Sequence, residues 1–210
     1  MKYYPVFLDL RERNCVVVGG GRVAERKTLS LLEAGANVTV VAPSLTHKLQ
    51  DLSASGKITH LAKTFENEDI AGAFLVIAAT GLREVNAEVG RLCRKNQILV
   101  NVAAPPGESS FIVPSVVDRG ALLIAISTSG ESPALSKRIR LELEKLFGPE
   151  YELFLQRMSI LRSRLMGPAG NETERARIFQ AIANSEVLDL LRQGKLHEAD
   201  RRIAELSGLK

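Results

Sequence analysis

The sequence predicts an α/β chain, with a parallel sheet covered by helices in its first half, then a short β segment and a helical tail. Three observations carry this expectation. Short β-branched runs alternate with longer helical patterns over the first hundred residues, the spacing of a parallel sheet with helices on both faces. The first clear run ends directly in three glycines, Gly19-Gly20-Gly21. Beyond Pro149 the β-branched runs stop and charged, helical periodicity takes over.

The elements follow in order. Residues 4–10 (YPVFLDL) read as an edge strand, because Pro5 lacks the N–H a central strand needs. Residues 14–20 (NCVVVGG) read as a buried strand, and 22–35 (RVAERKTLSLLEAG) as a helix stopped by Gly35. Residues 37–43 form the next strand, and 44–56 a helix with Ser44 as its N-cap. A short strand at 57–63, a fully buried one at 73–80, a helix at 83–97 and a strand at 98–104 complete the alternation. Pro105-Pro106-Gly107 then mark a change of character. Residues 111–130 read as β-structure, with Asp118-Arg119-Gly120 at a turn. Residues 132–148 read as a helix with Ser132 as N-cap and Pro133 at its first position. The helical tail is broken at MGPAGNETE (166–174), which leaves two or three short helices. The domain boundaries read from this are 1–112, 113–148 and 149–210.

Composition excludes several functions. With 45% hydrophobic and 25% charged residues, the 210-residue chain has the makings of an ordinary globular core. It has no Trp and few other aromatics, which argues against a base-stacking surface. A net charge of +4 suits an anionic ligand but is far from a basic stripe, so no nucleic-acid partner is expected. Cys15 and Cys93 stand alone and read as reduced packing residues. The N-terminus lacks a signal-peptide core and no segment is long enough to span a bilayer, so no membrane partner and a cytoplasmic location are expected. His47, His60 and His197 fall in different elements without ligand spacing, so no metal site is expected. No nucleophile-elbow or P-loop motif is present.

The three glycines pose the chemical question. Strand, glycines, then helix fits the dinucleotide fingerprint in its GxGxxA form, with Gly19, Gly21 and Ala24. Gly19 makes the tight turn, Gly21 lets a pyrophosphate approach the backbone, and Ala24 lets the helix pack closely on the sheet. That makes the first unit a Rossmann-type domain. A tight turn with no ligand is the competing reading. The usual carboxylate about 20 residues on is missing: the second strand ends VVAPSL, so Ser44 and the backbone at Ala42 and Pro43 would hold the adenosine ribose. No Arg follows the strand to grip a 2′-phosphate, which favours NAD over NADP, while Arg22 is the nearby cation that bears on that choice.

At YPVFLDLRERNCVVVGGGRVAERKTLSLLEAGANVTVVAP, LVIAAT and NVAAPPGESSFIVPSVVDRGALLIAISTSGESPALSKRIR, the chain resembles the precorrin-2 dehydrogenase / sirohydrochlorin ferrochelatase family, the N-terminal module of sirohaem synthase. The resemblance covers nearly the whole sequence. It implies an NAD-binding domain, a dimerisation segment and a small helical C-terminal domain, assembled as a homodimer. It implies NAD-dependent oxidation of precorrin-2, an anionic tetrapyrrole with eight carboxylates, to sirohydrochlorin, followed in some members by Fe²⁺ insertion. Arg22 and Val23 then lie where the family binds its cofactor after the glycines, Pro43 and Ser44 on the adenosine side, and Thr80 under the nicotinamide half. Asn101, Ser127 and Thr128 fall where the family meets its substrate. Arg119, Lys137, Arg138 and Arg140 are further candidates for the substrate carboxylates, with a solvated helix face as the competing reading. Full sirohaem synthases continue into a methyltransferase domain, and here a separate methyltransferase is expected to supply precorrin-2.

One departure touches the chemistry. Where the family reads Asn-Val-Val-Asp, this chain reads Asn101-Val102-Ala103-Ala104, and an alanine can neither accept a proton nor hold a charge. Three readings stay open. Dehydrogenation persists, because hydride transfer depends chiefly on alignment, with the proton going to water, Glu108 or a substrate carboxylate. Dehydrogenation persists without iron insertion. Or the chain is a non-catalytic NAD- or tetrapyrrole-binding regulatory dimer. Glu108 is the nearest replacement carboxylate, and a plain loop residue is its alternative.

Overall fold

The computed structural model describes residues 2–104, 107–165 and 171–208. The prolines at 105 and 106, and most of the break at 166–174, lie outside the described residues. The chain divides into two compact units, Met1–Val113 and Pro114–Lys210.

The first unit is the predicted α/β fold. Its parallel sheet has the order β3-β2-β1-β4-β5, built from β1 (Asn14–Val18), β2 (Asn37–Val41), β3 (Thr59–Leu61), β4 (Leu75–Ala78) and β5 (Leu99–Val102). Val17 stands opposite Val40 on one side and Ile77 on the other, and Ile77 opposite Asn101. The sheet is covered on both faces, which is why its central strands are continuous apolar runs rather than alternating ones. Val17, Val40 and Ile77 pack with Ala24 and Leu31 of α1 (Arg22–Glu33) and Leu49 and Leu52 of α2 (His47–Ala54). Val16, Val18, Val76 and Ala78 pack on the opposite face against Val89 and Cys93 of α3 (Arg83–Lys95). Each fully buried valine contributes on the order of 1.5–3 kcal/mol. The chain leaves α1 as the sequence implies: the N–H groups of Gly35 and Ala36 bond the carbonyls of Leu32 and Leu31 at 2.9 and 3.0 Å.

Two sequence expectations need correction here. Residues 4–10 are not a strand. Tyr4 and Phe7 are 82% and 68% exposed, and only Leu10 enters the core. Within this unit the free edge of β5 is already met by another segment. Ser110 N–H bonds the Val100 carbonyl at 2.8 Å, and the Ser110 and Ser109 hydroxyls accept from Val100 and Val102 N–H, each at 2.8 Å. Side chains thus take the place of a paired strand at an exposed edge. The second correction concerns α2, whose N-cap is Thr46, its hydroxyl accepting from Leu49 N–H at 3.4 Å, and not Ser44. After Val41 the chain stays non-helical to pass over the glycine loop, where Thr46 N–H bonds the Gly20 carbonyl at 3.0 Å.

The second unit begins with an antiparallel ribbon of β6 (Ser115–Arg119) and β7 (Leu122–Ile126), turning at Gly120. Gly120 has φ +66 and its N–H bonds Asp118 Oδ1 at 2.9 Å. Helix α4 (Pro133–Leu146) follows, with Ser132 as N-cap, accepting from Leu135 N–H at 3.3 Å, and Pro133 at its first position. Helices α5 (Glu150–Leu165), α6 (Glu172–Ala183), α7 (Val187–Arg192) and α8 (Leu196–Ser207) enclose a separate core around Phe154, Leu161, Ile182, Val187 and Ala199. Among the described residues, no helix is long and apolar enough to cross a membrane.

Candidate dinucleotide-binding site

The strand order reverses between β1 and β4, and at such a switch point the loops leaving the two strands diverge and open a crevice. A cleft of about 460 Å³ lies there, walled by the glycine loop, the β2–α2 connection and the end of β4. Gly19, Gly20, Gly21, Pro43, Ser44 and Thr80 all line it.

The three glycines are glycines for three different reasons. Gly19 has φ +126, and a Cβ there would sit 2.5 Å from the Ala79 carbonyl oxygen. Gly20 has no room either, since its Cβ would meet the Ser44 carbonyl oxygen at 1.9 Å. Both are demanded by the fold. Gly21 is different. Its backbone is extended (φ −88, ψ −174) and nothing lies within 4 Å of where its Cβ would stand. The folded chain needs no glycine at 21, so the residue leaves open a space at the mouth of α1 that a methyl group would fill.

That space faces unpaired donors. The first intrahelical bond of α1 runs from Glu25 N–H to the Gly21 carbonyl at 2.9 Å. The N–H groups of Arg22, Val23 and Ala24 precede it and have no intrahelical acceptor. No side chain caps this end. Amide donors and the positive end of the helix dipole together favour an anion of phosphate type. Arg22 and Val23 are exposed, whereas Ala24 is fully buried against the sheet. On the same helix, burial with Arg26 beside it pushes the Lys27 ammonium below its ordinary range.

Thr80, at the far wall, is held by a residue the sequence reading missed. Asn86 of α3 is 1% exposed, and its Oδ1 accepts from Thr80 N–H at 3.0 Å while its Nδ2 donates to the Thr80 carbonyl at 3.1 Å. The Thr80 hydroxyl lies 2.8 Å from Asn86 Oδ1 and 3.0 Å from the Leu82 carbonyl, with one proton to give, and accepts from Leu82 N–H at 3.1 Å. The signal for Asn86 was present: the Asn86, Val89, Gly90, Cys93 spacing puts an amide on the buried face of α3. Thr64 and Phe65 also line the cleft and were missed. Their loop is pinned by Lys63, whose ammonium lies 2.9 Å from the buried Asp69 carboxylate and also pairs with Glu66; those hydrogen bonds raise the Lys63 pKa. Nothing local announces that this loop meets the cleft. His60 of β3 braces the β2 exit, its Nε2 donating to the Ala42 carbonyl at 2.9 Å.

The substrate candidates are placed as follows. Asn101 on β5 donates through Nδ2 to the Phe111 carbonyl at 3.1 Å. Glu108 is tied to α3: Arg94 pairs with its carboxylate and also donates to the Gly107 carbonyl at 3.3 Å. Ala104 carries no polar side chain. Ser127 and Thr128 belong to the second unit. The Ser127 hydroxyl accepts from Ser129 N–H at 2.9 Å, and the Thr128 hydroxyl bonds the Ser132 N–H and carbonyl at 3.1 and 3.0 Å. Both support the loop into α4. Arg119 donates to the carbonyls of Phe147 and Glu144 at 2.7 and 3.1 Å, where a cation meets the negative end of α4, and to the Asp118 carbonyl at 2.7 Å. Arg140 and Arg138 pair with Glu144 and Glu142 one turn on. Cys15 and Cys93 are buried packing residues, and burial pushes both thiols up to about 11. Among the described residues, no three His, Cys, Asp or Glu side chains gather as a metal site.

Comparisons with known proteins agree with this geometry. Residues 6–115 match the family described as putative NAD(P)-binding, and residues 119–146 the family of the sirohaem biosynthesis protein central region. The chain is 39% identical over 199 residues to a sirohaem synthase of Nitrosospira multiformis, and 47% identical over 151 residues to one of Methylobacillus flagellatus. These alignments take in 93% and 72% of this chain but 42% and 32% of the relatives, so the chain spans less than half their length. A solved structure of SirC, a precorrin-2 dehydrogenase, superposes with a TM-score of 0.81 at 30% identity, covering 97% of this chain and all of that one. With an α/β unit that matches a putative NAD(P)-binding family, the sirohaem-biosynthesis segment after it and a structural counterpart covering 97% of its residues, the chain belongs to the precorrin-2 dehydrogenase family.

Proposed function

We propose that the chain binds NAD across the ends of β1, β2 and β4 and uses it to oxidise precorrin-2 to sirohydrochlorin in sirohaem formation. The observation that carries the cofactor reading is Gly21, the one glycine of three that neither backbone geometry nor packing requires. The relatives named sirohaem synthase and precorrin-2 dehydrogenase supply the substrate class.

Each residue has a defined task in this reading. The N–H groups of Arg22, Val23 and Ala24 hold the pyrophosphate, Gly21 leaves room for it, and Pro43 and Ser44 border the adenosine side. Thr80, fixed by Asn86, borders the nicotinamide half. When bound, the nicotinamide supplies the hydride acceptor. Asn101 keeps its Oδ1 without a hydrogen-bond partner among the described residues, which leaves it available to a pyrrole N–H. Ser127 and Thr128 contribute through the loop they hold rather than as free hydroxyls. No protein carboxylate takes the proton. Ala104 has none, and the Glu108 carboxylate is already paired with Arg94. Proton loss from the reduced macrocycle falls to water or to one of its own carboxylates, and alignment carries the rate. Fe²⁺ insertion removes two pyrrole protons and is not part of the proposal.

The assembly proposed is a homodimer through residues 113–148, with 149–210 as a helical domain. A two-stranded ribbon is marginal alone, and this one exposes Val116 and Leu123, with Leu135 and Leu141 of α4 exposed after it. Sedimentation should give twice the 22.9 kDa chain mass, and a monomer would remove this part. The reaction is tested by anaerobic incubation with precorrin-2 and NAD. NADH appearing only when both are present is the expected result. Dinucleotide binding without turnover would leave the regulatory-dimer reading in its place.

A further inference from the structure

Among the described residues, the adenosine end of the cleft carries no carboxylate to tell NAD from NADP. A dehydrogenase that excludes NADP usually places a carboxylate at the end of the second strand, where it binds the ribose 2′-hydroxyl and repels a 2′-phosphate. Among the described residues, no Asp or Glu lines this cleft. What stands there instead is hydroxyl. Capping of α2 by Thr46 leaves the Ser44 side chain without a hydrogen-bond partner among the described residues, and Thr64 from the β3 loop is likewise unengaged. Ser44 is exposed, so a ligand reaches it without rearrangement. Lys48, exposed in the first turn of α2 just past Thr46, is a cation close by in the chain. Free hydroxyls serve a 2′-hydroxyl as acceptors and a 2′-phosphate as donors, because a hydroxyl can do either.

We infer that this site accepts a 2′-phosphorylated dinucleotide as well as the unphosphorylated one, with the Pro43-Ser44 segment setting the tolerance. The inference rests on the reading that the cleft holds a nicotinamide dinucleotide. It concerns the adenosine ribose only and is independent of which macrocycle is oxidised.

The experiment is equilibrium binding of NADH and NADPH to the intact protein, followed by the fluorescence of the reduced nicotinamide, with no macrocycle present. The same titrations are run on Ser44→Asp and Pro43→Asp. The expected result is dissociation constants for NADPH and NADH within about tenfold of each other in the unmodified protein. At least one Asp variant should then weaken NADPH by a further tenfold or more, roughly, while keeping NADH, since a carboxylate and a phosphate at contact distance repel. Circular dichroism establishes that the variants are folded. NADH binding with NADPH excluded from the unmodified protein overturns the inference and leaves the NAD reading standing. NADPH binding that both Asp variants leave intact overturns the assignment to this segment. Failure of both dinucleotides to bind overturns the cofactor reading itself.

Discussion

Substituting each glycine of the triplet by alanine, one at a time, separates what the fold needs from what the ligand needs. At Gly19 the new methyl would lie 2.5 Å from the Ala79 carbonyl oxygen, on a backbone at φ +126. Left-handed strain in a non-glycine residue costs about 1–3 kcal/mol, and overpacking a further 1–3 or so. Gly19→Ala should therefore lose roughly 2–6 kcal/mol, a large share of the 5–15 or so that holds a typical domain together. At Gly20 the methyl would lie 1.9 Å from the Ser44 carbonyl oxygen, a backbone atom that cannot swing aside, so the loss is at least about 1–3 kcal/mol. At Gly21 the methyl meets nothing within 4 Å. Stability should stay within about 0.5 kcal/mol of the parent, or rise slightly because alanine restricts the unfolded chain. Yet this is the variant that should lose dinucleotide affinity, by about tenfold or more, equivalent to about 1.4 kcal/mol. Urea unfolding measures the first property and NADH fluorescence titration the second. A Gly21→Ala protein that binds NADH as the parent does would show that the space at Gly21 serves no dinucleotide. A Gly20→Ala protein of parental stability would show that the fold does not demand glycine there.

Two further predictions follow from buried groups. Asn86→Ala leaves the Thr80 N–H and carbonyl without their buried partners, and should destabilise the first unit by about 1–3 kcal/mol in urea and weaken NADH binding as well; unchanged values in both would show that Thr80 is held by something else. The two thiols are raised from 9.0 to about 11 by burial, so the unfolded chain releases protons first as pH rises. Their contribution is whole below pH about 9 and declines between roughly pH 9 and 11. The fall in urea midpoint from about pH 8 to 10.5 should shrink in a Cys15→Ala, Cys93→Ala double variant, relative to its own value at about pH 8; an undiminished fall would contradict the account.

The parts of this structure that could be read in the sequence are those whose cause is local. The apolar runs of β1 (Asn14–Val18) and β4 (Leu75–Ala78) are legible because burial on both faces demands them. Ser132-Pro133 is legible because a cap acts within one turn. The glycine loop was legible as a pattern, but its division of labour was not: which glycine serves the fold depends on Ala79 and Ser44, distant in sequence. The same holds for the other misses. Residues 4–10 have strand composition, but the free β5 edge is met by Ser109 and Ser110. Ser44 has the chemistry of an N-cap, but the chain must first clear Gly20, and Thr46 caps instead. Arg119 has the charge of a carboxylate binder, and its position at the end of α4 commits it to carbonyls. Charge and propensity are properties of residues, whereas availability is a property of the fold.

The decisive property of this chain is whether it turns over without the family's carboxylate. The measurement is NADH formed per precorrin-2 consumed under anaerobic conditions, for the unmodified protein beside Ala104→Asp. Stoichiometric NADH from the unmodified protein is the predicted result, with the variant altering its rate and pH profile. No NADH from the unmodified protein, together with turnover restored in Ala104→Asp, would contradict the account and mark the chain as a binding dimer on an enzyme's frame.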